Sequence, residues 1–533
     1  MIAYGRDEDN ITNQKPLDPS GALDQPSRLG TRGIVWFIAL AMFAVLMADA
    51  AQYGIFRDEM YYIACGHHLA WGYVDQPPLI ALFARLVTSV FGPSLYAIRL
   101  LPALAAFALV LLTGRLAQEM GGGRFAQGLA ALCILIAPAY LAFDHLFTMN
   151  AFEPLIWMGG ALLVLRILKT HNGKLWLWFG ILAGFGMQNK NTELFFGFSV
   201  FVALLLTQER KQFREPWIWL GGLLALLVYL PNLLWQWHHG WPQLQILEAT
   251  RAHRDIHLSP LQYFAAQALS MNPIALPIWL GGLWFLFFGR TGRVWCVLGW
   301  TFVVMVATFI SLNAKYYYLW PVFPMLFAAG AVWIERGLTG APGRWLKPAF
   351  VVLLVVSGAL LVPLALPVLP PQTFLRYKNA LGIHGTKLEH GTNRQALPQI
   401  FADMFGWKNM ARQTAQVYNS LPPQDRTQAC IFAWNYGDAG AIDFYGPRYG
   451  LPGAISGHNS FWLWGPGHCT GAVVIVIGGE KKWLQPRYAN VEAAGTIASE
   501  WARDDETNLM IWLCRGPKFP SLQKIWPRLR HYD

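Results

Sequence analysis

Eleven apolar stretches restrict this chain to a helical membrane fold. They run at 33–52, 97–117, 125–141, 147–168, 175–188, 192–207, 217–235, 264–288, 294–312, 317–335 and 348–368. A bilayer crossing needs about 20 such residues. In the hydrocarbon core each backbone N–H and C=O must be paired inside the segment, which a helix achieves and an open strand does not. Composition agrees: 55% of residues are hydrophobic and 13% charged, against roughly 25% charged in soluble domains. Residues 1–32 are polar and lack the basic-then-apolar layout of a cleavable leader. They read as a disordered cytoplasmic tail.

The basic residues orient the helices. Arg28 and Arg32, Arg115 and Arg124, Arg166 to Lys174, Arg210 to Arg214, Arg290 and Arg293, and Arg336 to Lys347 fall on one side if all eleven stretches cross. Lys and Arg concentrate in cytoplasmic loops, so that side is expected to be the cytoplasm. The net charge of +11 then belongs to inner loops and anionic lipid head groups. No nucleic-acid-binding motif accompanies it. The opposite face carries FRDEMYY, the loop around Asp144, the turn NKNTE, residues 236–263 and the turn NAK. Arg251, His253, Arg254 and His257 would also face outward, against the rule. Either the topology breaks there or they meet an anion.

An odd number of crossings puts residues 370–533 outside as well. There the composition becomes mixed, with strand patterns at 429–434, 472–478 and 509–514 and helical patterns near 397–420 and 435–446. The expected architecture is a tail (1–32), a polytopic helical membrane domain (33–368) and a small extracytoplasmic α/β domain (369–533). Cys133 and Cys296 sit in helices as packing residues. Cys65, Cys430, Cys469 and Cys514 lie outside, where a disulfide is permitted. Cys469 with Cys514 is the expected pair, although spacing does not fix connectivity.

Ionisable groups at the outer helix ends are costly unless water, an opposite charge or a ligand meets them. Asp58 and Glu59 are adjacent, so on a helix they point in different directions. One is expected to face a site and the other to be structural. Carboxylates in a first turn also simply stabilise a helix start. Beyond them the loop turns at Gln76-Pro77-Pro78, and LIALFARLV reads as a helix lying in the interface. A second loop, FDHLFTMNAFEP, offers Asp144, His145, Asn150 and Glu153, either as a site or as a helix cap. Lys190 and Lys315 sit at outer helix ends. There they suit a phosphate or snorkel to head groups. Tyr316 and Tyr317 also fit an aromatic belt. His67-His68 has poor metal-ligand spacing and no HExxH pattern occurs, so no metal site is expected. A divalent ion at Asp58, Glu59 or Glu153 is chemically compatible but no motif calls for it.

These motifs occur in the order found in one family. The pair Asp58-Glu59, DQPPL at 75–79, FTMNAFEP, GFGMQNKN at 184–191 and KYYYLWPVFPML at 315–326 resemble the dolichyl-phosphate-mannose protein mannosyltransferase superfamily. Within it they are most similar to the bacterial ArnT-like and RgtA/B/C/D-like branch of GT-C glycosyltransferases. The likeness covers roughly residues 33–335, and NYGDAGAIDFYGPRYGLPGAISGHNSFWLWGP at 435–466 looks like the outer domain of one bacterial subgroup.

The resemblance implies an inverting transfer of a sugar from a polyprenyl-phosphate donor to a glycolipid, polysaccharide or protein acceptor at a bacterial inner membrane. It implies Asp58 as base or orienting carboxylate, with Glu59, Asp144 and Glu153 as the other candidate catalytic carboxylates. Relatives carry an Asp near Asn150, so the second acid here is Asp144 or Glu153. Arg57, His145, Asn150, Lys190, Lys315, Tyr316 and Tyr317 are the expected carrier and substrate contacts. A leaving phosphate needs cations more than a general acid, and an acceptor hydroxyl needs a carboxylate in reach. A transporter or flippase is the alternative. It would place charges near the midplane among repeats, and no repeat is seen. A scaffold or sensor would not need acids and cations on one face.

Overall fold

In the computed structural model, residues 28–253, 258–383 and 396–532 are described, with side chains of the first stretch from 33 to 250. The expected tail therefore lies outside the described residues except at its end, where the first helix begins at Arg28. The loop side chains from Arg251 to His257 also lie outside them.

Among the described residues sixteen helices build the membrane part: Arg28–Asp49 (α1), Arg57–His67 (α2), Leu79–Phe91 (α3), Leu95–Glu119 (α4), Arg124–Ile136 (α5), Pro138–Asp144 (α6), Met149–Thr170 (α7), Leu175–Asn189 (α8), Glu193–Leu205 (α9), Pro216–His238 (α10), Pro242–His253 (α11), Pro260–Ser270 (α12), Leu276–Phe288 (α13), Cys296–Ser311 (α14), Phe323–Gly337 (α15) and Gly340–Ala365 (α16). Each of the eleven apolar stretches is helical, but they are not eleven uniform spans. Among the described residues six helices are long and apolar enough to cross a membrane, or up to eight if each of two bent pairs is one span. Of the others, α8 and α9 are 15 and 13 residues long, shorter than a full crossing. One bend, of 61°, falls between α5 and α6. There Pro138 lacks the N–H and crowds the preceding turn. The other, of 102°, separates α12 from 273–288, at Asn272 with φ +67 and Pro273.

Packing sorts these helices. In the apolar 18-residue core of Tyr316–Gly337 83% of the residues are buried, which puts it at the centre, whereas in those of α10 and α16 17% are. The exposed faces of those two carry Leu223, Leu227, Leu230, Val352, Val356 and Leu360. An apolar surface of that extent belongs against lipid. Where α8 crosses α10, Gly180 and Gly221 touch so closely that a Cβ on either would strike backbone.

The ends of the bundle differ in charge. Arg115, Arg166 and Lys169 converge on Glu119. Nearby, Arg336 donates to the Gly121 carbonyl and Lys347 to that of Glu335. Most of the expected basic connections thus gather at one end, and the acidic motifs lie at the other.

At the acidic end sits a small sheet domain. It is introduced by Pro371–Ala380 (α17), Gln399–Ala402 (α18), Trp407–Ser420 (α19) and Pro423–Gln428 (α20). Its strands are Ala429–Ala433 (β1), Ala454–Ile455 (β2), Val473–Ile477 (β3), Tyr488–Ile497 (β4) and Leu509–Pro517 (β5), with Tyr436–Tyr445 (α21) and Asn459–Trp464 (α22) between them. The order is β2-β1-β3-β5-β4. β1 pairs parallel with β2 and β3, while β5 pairs antiparallel with β3 and β4. All five residues of β3 are buried, as a central strand covered on both faces requires.

The disulfide expectation is corrected. Cys430 on β1 bonds Cys469, with Cα atoms 5.7 Å apart, within the bridging range of about 4.4–6.8 Å. Cys514 is a buried free thiol on β5, separated from β1 by β3.

Candidate active site

The first turn of α2 splits the acidic pair. Successive helical residues are turned about 100° apart, so Glu59 faces the bundle while Asp58 faces the sheet domain. Glu59 is 0% exposed and Arg99 on α4 is 1% exposed. The Arg99 Nε and Nη2 donate to its two oxygens, each at 2.9 Å. The backbone N–H groups of Phe56 and Phe147 add donors at 2.8 Å each. Four donors saturate this carboxylate, and two of them tie the α2 start to the α6–α7 loop. Arg99 also donates to the carbonyls of Ala50 and Gly54. Glu59, expected among the candidate catalytic groups, is held here as a strut between α2, α4 and the α6–α7 loop.

Asp58 is placed differently. Its side chain keeps 30% exposure, and its Oδ1 accepts the Tyr436 hydroxyl at 2.7 Å. Arg57 Nε lies 3.7 Å from that oxygen and Nη1 lies 3.8 Å from Asp403. Its guanidinium stands over the Tyr436 ring, 5.1 Å from the centroid. Arg57, expected to contact carrier, is thus engaged by the sheet domain. Burial raises the Asp403 carboxyl above its ordinary range, and Arg57 and Arg503 hold it down only in part.

A second carboxylate, Asp75 at the start of DQPPL, joins Asp58. Asp75 accepts from the Tyr61 hydroxyl at 2.8 Å, and that hydroxyl also contacts Ser460 Oγ at 2.8 Å. Burial pushes the Asp75 carboxyl up to about 7. The Tyr61 hydrogen bond opposes the shift, and the negative charge of Asp58 adds to it.

The second acidic loop packs alongside. Glu153 is buried and pairs with Lys190 Nζ at 2.7 Å. It also accepts from the Thr192 hydroxyl. Lys190 donates to Asn150 Oδ1 at 2.8 Å, and its ammonium lies 4.5 Å from the centroid of the Tyr318 ring. Asn189 secures the turn by donating to the Met149 carbonyl at 3.0 Å. Sequence motifs far apart, FTMNAFEP, QNKNTE and NAKYYY, therefore meet at one place. Lys315 begins the 3-10 turn Tyr316–Val322 that supplies Tyr318.

Other expected residues lie elsewhere. Asp144 and His145 are 1% exposed. Neither Asp144 oxygen takes a hydrogen bond among the described residues, and His145 Nδ1 sits 3.2 Å from the Ala142 carbonyl. They face the bundle interior. Tyr317 packs edge-on against Phe143, and the Tyr316 carbonyl accepts from Gln267. His67 and His68 border a cavity of about 220 Å³ with Asp443. Among the described residues no three His, Cys, Asp or Glu side chains are grouped to hold a metal. An apolar crevice of about 380 Å³ runs between Leu69, Trp71, Leu82, Phe185 and Val228, with Gln188 on its wall.

Arg99 is the residue that motif reading missed, while Asp75 and Tyr436 lay inside quoted motifs, DQPPL and NYGDAG, without being named as site residues. An arginine inside the apolar stretch 97–117 was a usable signal, because a buried guanidinium requires a partner.

Known proteins resemble this chain in fold and, over part of its length, in sequence. The family described as dolichyl-phosphate-mannose-protein mannosyltransferase matches residues 75–235. ArnT from Cupriavidus metallidurans, solved bound to undecaprenyl phosphate, superposes with a TM-score of 0.59 at 15% identity, covering 91% of this chain and 98% of that one. The chain shares the fold of that structure. Its GT-C fold is the multi-pass helical body with the small sheet domain described above. The apo form of the same ArnT gives a TM-score of 0.58 at 14% identity, with the same coverage. In sequence, the lipid A galacturonosyltransferase RgtD of Rhizobium johnstonii is 26% identical over 312 residues, which is 57% of this chain. The match spans 65% of that relative's length.

Proposed function

We propose that this GT-C protein is an inverting glycosyltransferase, moving a sugar from a polyprenyl-phosphate carrier to an acceptor at the extracytoplasmic face of a bacterial inner membrane. The observation that carries the proposal is Asp58. It is the partly exposed carboxylate of the adjacent pair, fixed at one oxygen beside a neighbour that is fully saturated.

An acceptor hydroxyl within hydrogen-bond reach of Asp58 gives up its proton to that carboxylate. The acceptor oxygen attacks the anomeric carbon, and the carbon–oxygen bond to phosphate breaks on the opposite side with its electron pair. Displacement in one step inverts the anomeric centre. The phosphate leaves as an anion, so preset cations lower its cost. Lys190, held by Glu153 and Asn150, and Lys315 are the groups we assign to it. In this role Glu153 orients Lys190 and does not act as a base. The apolar crevice ending near Gln188 suits the first units of the carrier chain. Undecaprenyl phosphate bound to ArnT supports a carrier of this class, and RgtD supports a glycolipid acceptor. Positive-inside statistics support placing the acidic end and sheet domain outside.

Mass spectrometry of the membrane glycolipids of a strain lacking the gene tests this. Loss of a sugar-sized mass from one glycolipid class is expected. An unchanged profile of lipid, polysaccharide and protein glycosylation would refute it.

A further inference from the structure

The motif NYGDAG in the sheet domain is not used by any step above, yet it rests directly on α2. Asn435 caps α21, its side chain accepting from the N–H groups of Gly437 and Asp438 at 2.7 and 3.0 Å. That cap makes Tyr436 the first helical residue and aims it at the α2 start. Two glycines let the helices meet. A Cβ on Gly437 would lie 2.7 Å from Arg57 Cγ, and one on Gly440 would lie 3.1 Å from Met60 Cβ. The Tyr436 ring packs on Tyr61, centroids 4.9 Å apart, and its backbone N–H meets His458 Nδ1 at 3.2 Å. The ring is thus fixed by packing, by a cap and by Arg57, and its hydroxyl ends on Asp58 at 2.7 Å.

We propose that Tyr436 is a positioning residue for Asp58, so that the sheet domain completes the catalytic site of the membrane domain. This rests on the reading of Asp58 as the carboxylate that receives the acceptor proton. Among the described residues the Tyr436 hydroxyl is the one hydrogen-bond donor to the Asp58 side chain, since Arg57 stands at ion-pair distance. An aspartate in a first helical turn has two side-chain torsions to fix. One strong hydrogen bond to Oδ1 from a rigid phenol fixes both and presents Oδ2 to the acceptor. Pinning from a separate domain also makes the reactive geometry depend on that domain being docked.

Tyr436→Phe removes the hydroxyl and keeps the ring contacts with Tyr61 and Arg57. The gene-deleted strain is complemented with this variant, with Asp58→Asn and with wild type. The initial rate of glycolipid formation after induction is read per unit of membrane-inserted protein. Purified proteins are compared for affinity toward undecaprenyl phosphate and for melting temperature. Misplacing a reacting group by about 1 Å costs up to roughly 100-fold, so Tyr436→Phe is expected to slow transfer by about 10–100-fold. Carrier affinity and melting temperature should match wild type. A merely structural hydroxyl would lower the melting temperature, and a binding hydroxyl would weaken carrier affinity in step with the rate. Either result overturns the proposal, as does a wild-type rate in Tyr436→Phe while Asp58→Asn is inactive. A wild-type rate in Asp58→Asn instead removes the reading of Asp58 beneath it.

Discussion

Replacing Arg99 with Leu should be among the most damaging single changes in this protein, and the structure gives its size. Arg99 is 1% exposed and Glu59 0% exposed, so neither charge has water to fall back on. The pair is joined by two hydrogen bonds of 2.9 Å, and Arg99 also serves the Ala50 and Gly54 carbonyls at 2.9 and 2.8 Å. Removing one partner of such a pair costs about 3–5 kcal/mol, mostly from the charge left buried. A chain of this length shifts less per kcal/mol than a small domain, so the fall in melting temperature is expected to be roughly 5–10 °C. The assay is thermal unfolding of detergent-solubilised protein, followed by loss of the monodisperse chromatographic peak. Adding Glu59→Gln to Arg99→Leu removes the orphaned charge and keeps one acceptor for the backbone N–H groups of Phe56 and Phe147. The double variant should therefore melt above the Arg99→Leu single. An Arg99→Leu protein that melts with wild type, or a double variant worse than the single by the full Glu59→Gln cost, would refute the strut.

Three further outcomes are expected. Lys315→Ala should weaken undecaprenyl phosphate binding by about 5–10-fold and acceptor affinity far less, and an unchanged carrier affinity in a titration of purified protein would count against it. Burial holds the Asp75 carboxyl near 7, above its unfolded value, so the folded state prefers the protonated acid and its contribution is lost as pH rises through about 7. Asp75→Asn should accordingly gain melting temperature relative to wild type as pH rises from about 4 to about 7 and keep that gain above it, and a difference independent of pH across that range would contradict the burial argument. Cys430→Ser opens a bridge spanning 39 residues and should cost the sheet domain roughly 3–4 kcal/mol by loop entropy. Cys514→Ser should cost much less, and equal losses would argue against Cys430–Cys469 as the bridge.

The membrane body was readable because its signal is additive: twenty apolar residues announce a helix whatever surrounds them. All eleven stretches are helices for that reason. Their division into full spans, short helices and bent pairs was not readable, since Pro138 and Asn272-Pro273 bend helices without breaking the apolar run. In the sheet domain β1, β3 and β5 showed as apolar runs. β4, YANVEAAGTI, did not, because it is an edge strand with few buried residues, and β2 is only two residues long. The adjacent acids were correctly expected to diverge, from helical geometry alone. Which of them is buried depended on Arg99, 40 residues away in sequence. Tyr436 is 378 residues from Asp58, and no local pattern ties them.

The central claim is that Asp58 performs chemistry and does not hold the fold. Asp58→Asn, expressed at wild-type level in the gene-deleted strain, is the measurement that addresses it most directly, read by mass spectrometry of the product. The variant is expected to insert and melt like wild type, yet fail to restore the missing sugar. Full restoration of that mass by Asp58→Asn would contradict it.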